Sequence, residues 1–258
     1  MPARKRRGLS RLIRWALVVG VICWSAEGIG LTLSTLTEGK RGAVLLISGL
    51  LSPDLSTEWL LVCLSATIET CQIAVIGLLL AAVIGAPLSL ALAANVGAPR
   101  PFAEGARAIA AFLRGVPDLL WALLLVAALG PGPTAGAIAI GIHGAGSLAK
   151  LWAEQLESVD PAPVEAMNLM GAGSVATAGL AIVPLARGGI ISLLLFQAEC
   201  NIRSSTVLGF VGAGGIGQEL AISLKLFRYE QLSTLVLAVL ALMLATDLLS
   251  RIWRRRGA

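Results

Sequence analysis

Long apolar runs recur along this chain, and each approaches the length of a bilayer-crossing helix. Thr67 to Ala94, Thr134 to Trp152 and Glu230 to Leu249 are the clearest. A hydrocarbon core about 30 Å thick needs roughly 20 apolar residues at helical rise. In that medium every backbone N–H and C=O must be satisfied internally, so only helices and closed barrels can span it. Barrel strands alternate apolar and polar residues at every second position, and these runs do not. The chain is therefore predicted to be an all-α, multi-pass transmembrane helical bundle. With 57% hydrophobic and 14% charged residues among 258, it lies far from an ordinary soluble domain.

The charges set a topology. Arg4, Lys5, Arg6, Arg7, Arg11 and Arg14 precede the first apolar run, Trp15 to about Ala26, and Arg251, Arg254, Arg255 and Arg256 follow the last. Lys and Arg accumulate on the cytoplasmic side of membrane spans, so both termini are expected there, with an even number of spans, about six. Adding Arg100, Arg107, Arg114, Lys150 and Arg187 places fifteen of the 20 basic residues inside. A net charge of +5 spread in this way does not point to nucleic acid. The first run follows a basic tail and precedes no small-residue cleavage motif, so a retained anchor is expected. After it, Glu27 to about Leu60, with Lys40 and Arg41, is expected to face outward. The four cysteines lie in or beside apolar runs without metal-type spacing and read as small buried hydrophobes.

Small residues mark where helices should meet. Gly77, Ala81 and Gly85 recur at four-residue spacing, as do Ala137, Gly141, Ala145 and Ala149, and such stripes let helix backbones approach closely. Pro87 is expected to kink its helix. A third helix, about Phe102 to Leu129, is interrupted by Arg114-Gly115-Val116-Pro117-Asp118; Arg114 and Asp118 stand four apart, and an ion pair or a pathway role are both open. Gly130-Pro131-Gly132-Pro133 reads as a tight outward turn. His143, the single histidine, has no second ligand type nearby and reads as a packing residue.

The segment Glu165 to Pro184 is of a different kind. A helix-forming run, Val164–Met170, follows Asp160-Pro161-Ala162-Pro163, is stopped by Gly171-Ala172-Gly173, and leads to an apolar run closed at Pro184. A charged, glycine-broken segment cannot lie in hydrocarbon, so it is placed at the cytoplasmic surface, where it can touch a soluble partner. The order Glu165-Ala166, Gly171 six residues after the glutamate and Pro184 thirteen after that glycine resembles the EAA loop of binding-protein-dependent ABC importer permeases. The sequence departs from the loop's pattern at Met167, Ala181 and Val183. The resemblance implies that Glu165, Ala166 and Gly171 contact a separate ATPase.

A polar stretch follows the next apolar run, Ala186–Ala198: Glu199, Asn201, Arg203, Ser204 and Ser205. Glu199 and Arg203 at i,i+4 form a candidate stripe, either facing a pathway or solvating a helix end. Then comes Val207 to Gly217, in which Gly212-x-Gly214-x-x-Gly217 formally satisfies a dinucleotide fingerprint. That reading fails, because no soluble βαβ unit surrounds it and Leu237 stands where an acid is required. The glycines instead allow positive φ and close backbone approach, as in a bend or gate. Gln218–Tyr229 reads as a short outward helix. The run Asn201 to Gln218 resembles the corresponding stretch of phosphonate importer permeases, and more loosely that of methionine importer permeases. Arg114-Gly-Val-Pro117 and Lys150 to Glu154 share the phosphonate resemblance. It implies a type I ABC importer permease fold, and a route lined or gated by Asn201, Arg203, Ser204, Ser205, Thr206, Gly212, Gly214, Gly215 and Gly217, with Glu199 beside them. An anion crossing a low-dielectric layer needs cations or donors, which Arg203 and the Ser204-Ser205-Thr206 hydroxyls would supply.

The functional expectation is a permease subunit of the bacterial inner membrane, working as a homodimer with an external solute-binding protein. No G-x-x-x-x-G-K-[ST] phosphate loop is present, so ATP and Mg²⁺ would be held by the partner ATPase, and no cofactor is expected in this chain. Residues 1–60 form a basic tail, anchor and external connection; residues 61–258 form the permease core, with the cytoplasmic loop at about 153–184. The alternatives are a methionine-type or other small-anion permease and an ion-coupled secondary transporter using Glu69, Glu199 or His143, although no repeat relates the two halves. One histidine and the lack of H-E-x-x-H and G-x-S-x-G motifs argue against an intramembrane enzyme.

Overall fold

The computed structural model describes residues 3–28, 30, 42 and 44–257; Lys40 and Arg41 lie outside the described residues. The chain divides into two compact units, residues 1–52 and residues 53–258. In the first, α1 (Ala3–Gly28) carries the basic segment and the first apolar run in one continuous helix, and α2 (residues 44–50) follows. The second unit holds α3 (Thr57–Leu92), α4 (Arg100–Gly115), α5 (Asp118–Leu129), α6 (Pro133–Glu157), α7 (Pro161–Leu169), α8 (Ser174–Thr177), α9 (Val183–Leu208), α10 (Gly215–Lys225) and α11 (Tyr229–Gly257). There is no strand among the described residues.

The two small-residue stripes are the axis of the second unit. A Cβ on Gly77 would lie 3.0 Å from Ile140, one on Gly141 would lie 2.7 Å from Leu80, and one on Gly85 would lie 3.1 Å from the Ala145 carbonyl. Backbones of α3 and α6 therefore touch along their length, which is the close approach that the spacing predicts. Ala137, Gly141, Ala145 and Ala149 are all buried. On the far side of α3, Leu61, Val75, Leu79 and Val83 are exposed. A row of exposed aliphatic residues on a helix of this length is the surface expected against lipid.

Among the described residues, α3, the combined helix Ser174–Val211 and α11 are long and apolar enough to cross a membrane. α4 and α5 together make a fourth, bent by 83° at the break. The central helix α6 does not reach that standard of apolarity, and its position explains why. Fourteen of its 25 residues are buried, so it is covered by other helices and has little lipid to satisfy with Leu or Ile.

The break between α4 and α5 falls at the predicted interruption and is braced by α6. The carbonyl of Val116 can only accept, so His143 Nδ1 carries the proton it donates to it over 3.0 Å. Trp121 Nε1 donates to Leu113 O at 3.2 Å, and the Trp121 ring meets Phe112 edge-on, 5.8 Å between centroids. His143 is thus a packing and bracing residue. Arg114 ends α4 while Asp118 begins α5 and accepts the backbone N–H of Leu119, so the two no longer share one helix face.

Three boundaries differ from expectation. α3 begins ten residues earlier than Thr67, with Pro87 inside it. Pro184 does not close the hairpin: helix continues from Ser174 to Val211. Proline in a helix removes one N–H and crowds the carbonyl four residues earlier. The turn at Ala178–Ile182 is of the wider π type, which changes the hydrogen-bond register just before Pro184. Past Ala198 the same helix runs on to Leu208, so Glu199–Thr206 lie inside α9 and not beyond its end. At the other terminus, the basic stretch after Leu249 continues α11.

Candidate functional site

Two regions contain the residues singled out above, and they occupy opposite ends of α3. At its C-terminal end, Leu92 packs with Leu156 of α6, Val164 of α7 and Ile182. At its N-terminal end, Cys63 and Ala66 pack with Ile216 and Leu220 of α10 and Leu232 and Leu235 of α11.

At the first end stands the hairpin. Asp160 caps α7 by accepting the Ala162 N–H at 3.0 Å, and Pro161 occupies the first helical position, where its missing N–H costs nothing. The helix ends as Gly171 N donates to Asn168 O and Ala172 N to Met167 O. Gly171 has φ +79°, a conformation that costs an L side chain roughly 1–2 kcal/mol. Across the turn Thr177 Oγ1 donates to Asn168 Oδ1 at 3.4 Å. Only Val164 of α7 is buried. Glu165, Ala166 and Gly171 are exposed, and so are Leu169 at 89%, Met170 at 73% and Val175 at 88%. The hairpin is thus a well-formed turn with an uncovered carboxylate and an uncovered apolar patch.

The polar stretch of α9 splits over three faces. Asn201, 1% exposed, receives a hydrogen bond from Gln197 Nε2 at 2.9 Å and donates from Nδ2 to the Ala74 carbonyl at 3.3 Å. This pair ties α9 to the middle of α3. Ser205 and Thr206 are buried, and their hydroxyls both donate to Ile202 O within α9. Glu199, half-buried, lines a cavity of about 310 Å³ between α9 and α11 with Ile202, Thr246 and Trp253. Arg203 is exposed and Ser204 half-buried. Glu199 and Arg203 therefore do not present one continuous polar face with Asn201.

The glycine turn closes the other end. Gly212, Gly214 and Gly215 have φ of 88°, 81° and 68°, so three of four consecutive residues occupy the left-handed region that only glycine enters freely. The turn is nonetheless held by hydrogen bonds on both sides. Gly132 N donates to Gly212 O at 2.8 Å and Ala213 N to Leu208 O at 3.3 Å. Ile216 N donates to Thr70 Oγ1 at 2.8 Å, and the Thr70 hydroxyl donates in turn to Ala66 O. A Cβ on Gly217 would overlap the Thr206 carbonyl, and one on Gly214 would lie 3.0 Å from Glu69 Oε1. The structure thus brings Thr206, Gly212, Gly214, Gly215 and Gly217 together with Thr70 and Glu69, far from Glu165.

Thr70 and Gln197 were not singled out by sequence reasoning. Their signals were present: Thr70 lies two helical turns before Gly77 on the small-residue face of α3, and Gln197 lies one turn before Asn201. Among the described residues, no group of three or more His, Cys, Asp or Glu is placed to hold a metal ion.

Residues 85–256 match the family described as the binding-protein-dependent transport system inner membrane component. The chain belongs to this family. As a binding-protein-dependent transport permease it is 34% identical to the phosphite transport system permease protein PtxC of Stutzerimonas stutzeri, over 99% of this chain and 96% of that protein. It is 35% identical to the phosphate-import permease protein PhnE of Mycolicibacterium smegmatis, over 90% of this chain and 43% of the longer relative. Among solved structures, the MetNI methionine ABC transporter in an inward-facing conformation superposes with a TM-score of 0.70 at 19% identity, covering 79% of this permease and all of that chain. An amino acid ABC transporter superposes at 0.63 and 20% identity, covering 88% of this permease and all of that chain. These structures share the fold, that of a type I importer permease, and the fold class expected from the apolar runs is the one observed.

Proposed function

We propose that this permease forms half of a dimeric membrane pathway for a phosphorus oxyanion of the phosphite, phosphonate or phosphate class, and that its α7 hairpin engages a separate ATPase carrying ATP and Mg²⁺. The hairpin is the observation that carries the reading. It is folded and capped, yet it leaves Glu165, Leu169, Met170 and Val175 uncovered. A patch of this composition gains by being covered by a soluble partner. Both termini and the hairpin face the cytoplasm in this reading, in keeping with the basic residues at the ends and in the loops. The solute class follows from the relatives named for phosphite and phosphate transport.

The rest of the fold supplies a route from hairpin to glycine turn. The hairpin is anchored at Val164 and Ile182 in the same cluster as the ends of α3 and α6, so a push on α7 is delivered to the central helix pair. α9 is tied to α3 through Gln197 and Asn201, and the glycine turn is tied to α3 through Thr70. Movement of α3 thus carries the turn with it. Alternating access then follows from displacing these tied elements relative to the second copy, with the nucleotide cycle biasing the two states.

The test uses the complex of this chain with its ATPase and binding protein in vesicles. Glu165→Lys should weaken ATPase association by about 2 kcal/mol, roughly thirtyfold, and abolish uptake. Association at wild-type strength would overturn the coupling assignment. Binding protein loaded with phosphite or methylphosphonate should stimulate ATP hydrolysis. Stimulation by methionine alone would overturn the solute class and leave the coupling intact.

A further inference from the structure

A second charged feature lies between α4 and α6, on the hairpin half of the unit. Arg107, Arg114, Lys150, Glu154 and Glu157 line a groove of about 390 Å³ closed at its base by Leu92, Ala110 and Ala153. Two of its charges are already engaged with each other: Lys150 Nζ stands 3.0 Å from Glu154 Oε1. Glu157 is engaged too, its Oε1 accepting the Ala94 N–H at 2.8 Å. Arg107 and Arg114 are one heptad apart and therefore on one side of α4. Neither side chain has a hydrogen bond or ion pair among the described residues, although Glu154 and Glu157 line the same groove. Arg100 and Arg107 line an adjoining cavity of about 340 Å³ with Glu104.

The groove is built by the close packing of the two helices. A Cβ on Gly146 would lie 2.7 Å from both the Ala110 carbonyl and the Arg114 N–H, so α4 rests directly on α6 one turn before Lys150. That contact sets the Arg114 backbone beside the Lys150 turn. Lys150 stands seven residues from the end of α6, or about 10 Å along its axis, and Arg107, Arg114 and Lys150 are all exposed, open to a ligand from outside the helix packing. On another side of α4, Phe102, Ile109 and Phe112 are exposed. Guanidinium pairs recognise phosphate oxygens bidentately and keep their charge at any working pH. Basic pockets between membrane helices on the cytoplasmic side are suited to phosphate headgroups.

We propose that this groove is a phosphate-group site, in which Arg107 and Arg114 grip the oxyanion and Lys150, paired with Glu154, borders it. The group arrives either on an anionic lipid of the adjoining leaflet or as a free oxyanion from the aqueous side. The site does not depend on what solute the permease moves, because binding is read without transport.

The full chain in complex with its ATPase is placed in phosphatidylcholine nanodiscs. One arm titrates radiolabelled inorganic phosphate; the other measures retention of spin-labelled phosphatidylglycerol. At least one anion should bind, and Arg107→Gln with Arg114→Gln should weaken it by about tenfold or more, whereas Arg187→Gln should not. Phosphate binding alone assigns the aqueous source, and lipid retention alone assigns the bilayer. A readout independent of variants uses the wild type: the bound anion should protect Arg107 and Arg114, but not Arg187, from phenylglyoxal. Binding of neither anion, equal binding by the double variant, or no protection would overturn the site.

Discussion

The hairpin and the glycine turn are both breaks in helix built on left-handed glycines, and they are finished in opposite ways. Around Gly171 nothing stands within 4 Å of where a Cβ would be, whereas at Gly217 a Cβ would collide with the Thr206 carbonyl. One turn is folded and then left open; the other is folded and filled. Glycine at the first serves backbone conformation alone, and at the second it also serves packing. The open turn has surface to give to a partner, and the filled turn has little beyond Phe210.

This contrast can be broken by substitution. The largest effect is expected from Gly217→Ala, where backbone lies in the way of the new carbon: a loss of about 3 kcal/mol, seen as a lower melting temperature or as failure to purify. Thr70→Val, nearly isosteric, removes the acceptor of the buried Ile216 N–H and should cost about 2 kcal/mol. Gly171→Ala should cost only about 1 kcal/mol of stability. If Gly171→Ala destabilised the chain as much as Gly217→Ala, the contrast would be lost. Asp160→Ala removes the α7 cap, at about 1 kcal/mol, and should weaken ATPase association more than it lowers the melting temperature of the isolated chain.

The smallest effect concerns pH. The Ser56 N–H donates to Asp54 Oδ1 at 2.9 Å just before α3, and with the Ser56 side chain it holds the Asp54 carboxyl below its ordinary value. A carboxyl whose folded pKa is depressed stabilises the fold above its unfolded pKa, and that contribution fades as pH falls through the folded one. Melting curves of wild type and Asp54→Asn should therefore differ at neutral pH and converge below about pH 4. A difference that persisted undiminished well below about pH 4 would remove Asp54 from the account.

The helix-helix axis was legible in the sequence because small residues at four-residue spacing have one dominant use in a membrane protein. Gly77, Ala81 and Gly85 meet Ala137, Gly141 and Ala145 as their spacing requires. The break at 114–118 and the turn at 130–133 were legible because Gly and Pro restrict the backbone directly. Pro184 misled, since a widened turn upstream let the helix absorb it. The faces of α9 were not legible: a polar run identifies residues that need partners, but whether Asn201 finds Gln197 and a carbonyl, or a pathway, is decided by which helix lies opposite. Thr70 was hidden for a related reason, because its partner comes from a turn about 146 residues later in the chain.

The modest apolarity of α6 bears on how such a chain comes to be made. Its carbon-poor surface, with Lys150 and Glu154 aboard, would gain little from entering lipid as a lone segment during synthesis. The helix at the centre of the finished fold is thus poorly suited to insert unaided, and its neighbours must escort it. Variants that weaken the seam of α3 should accordingly fail at biogenesis, before any question of transport arises.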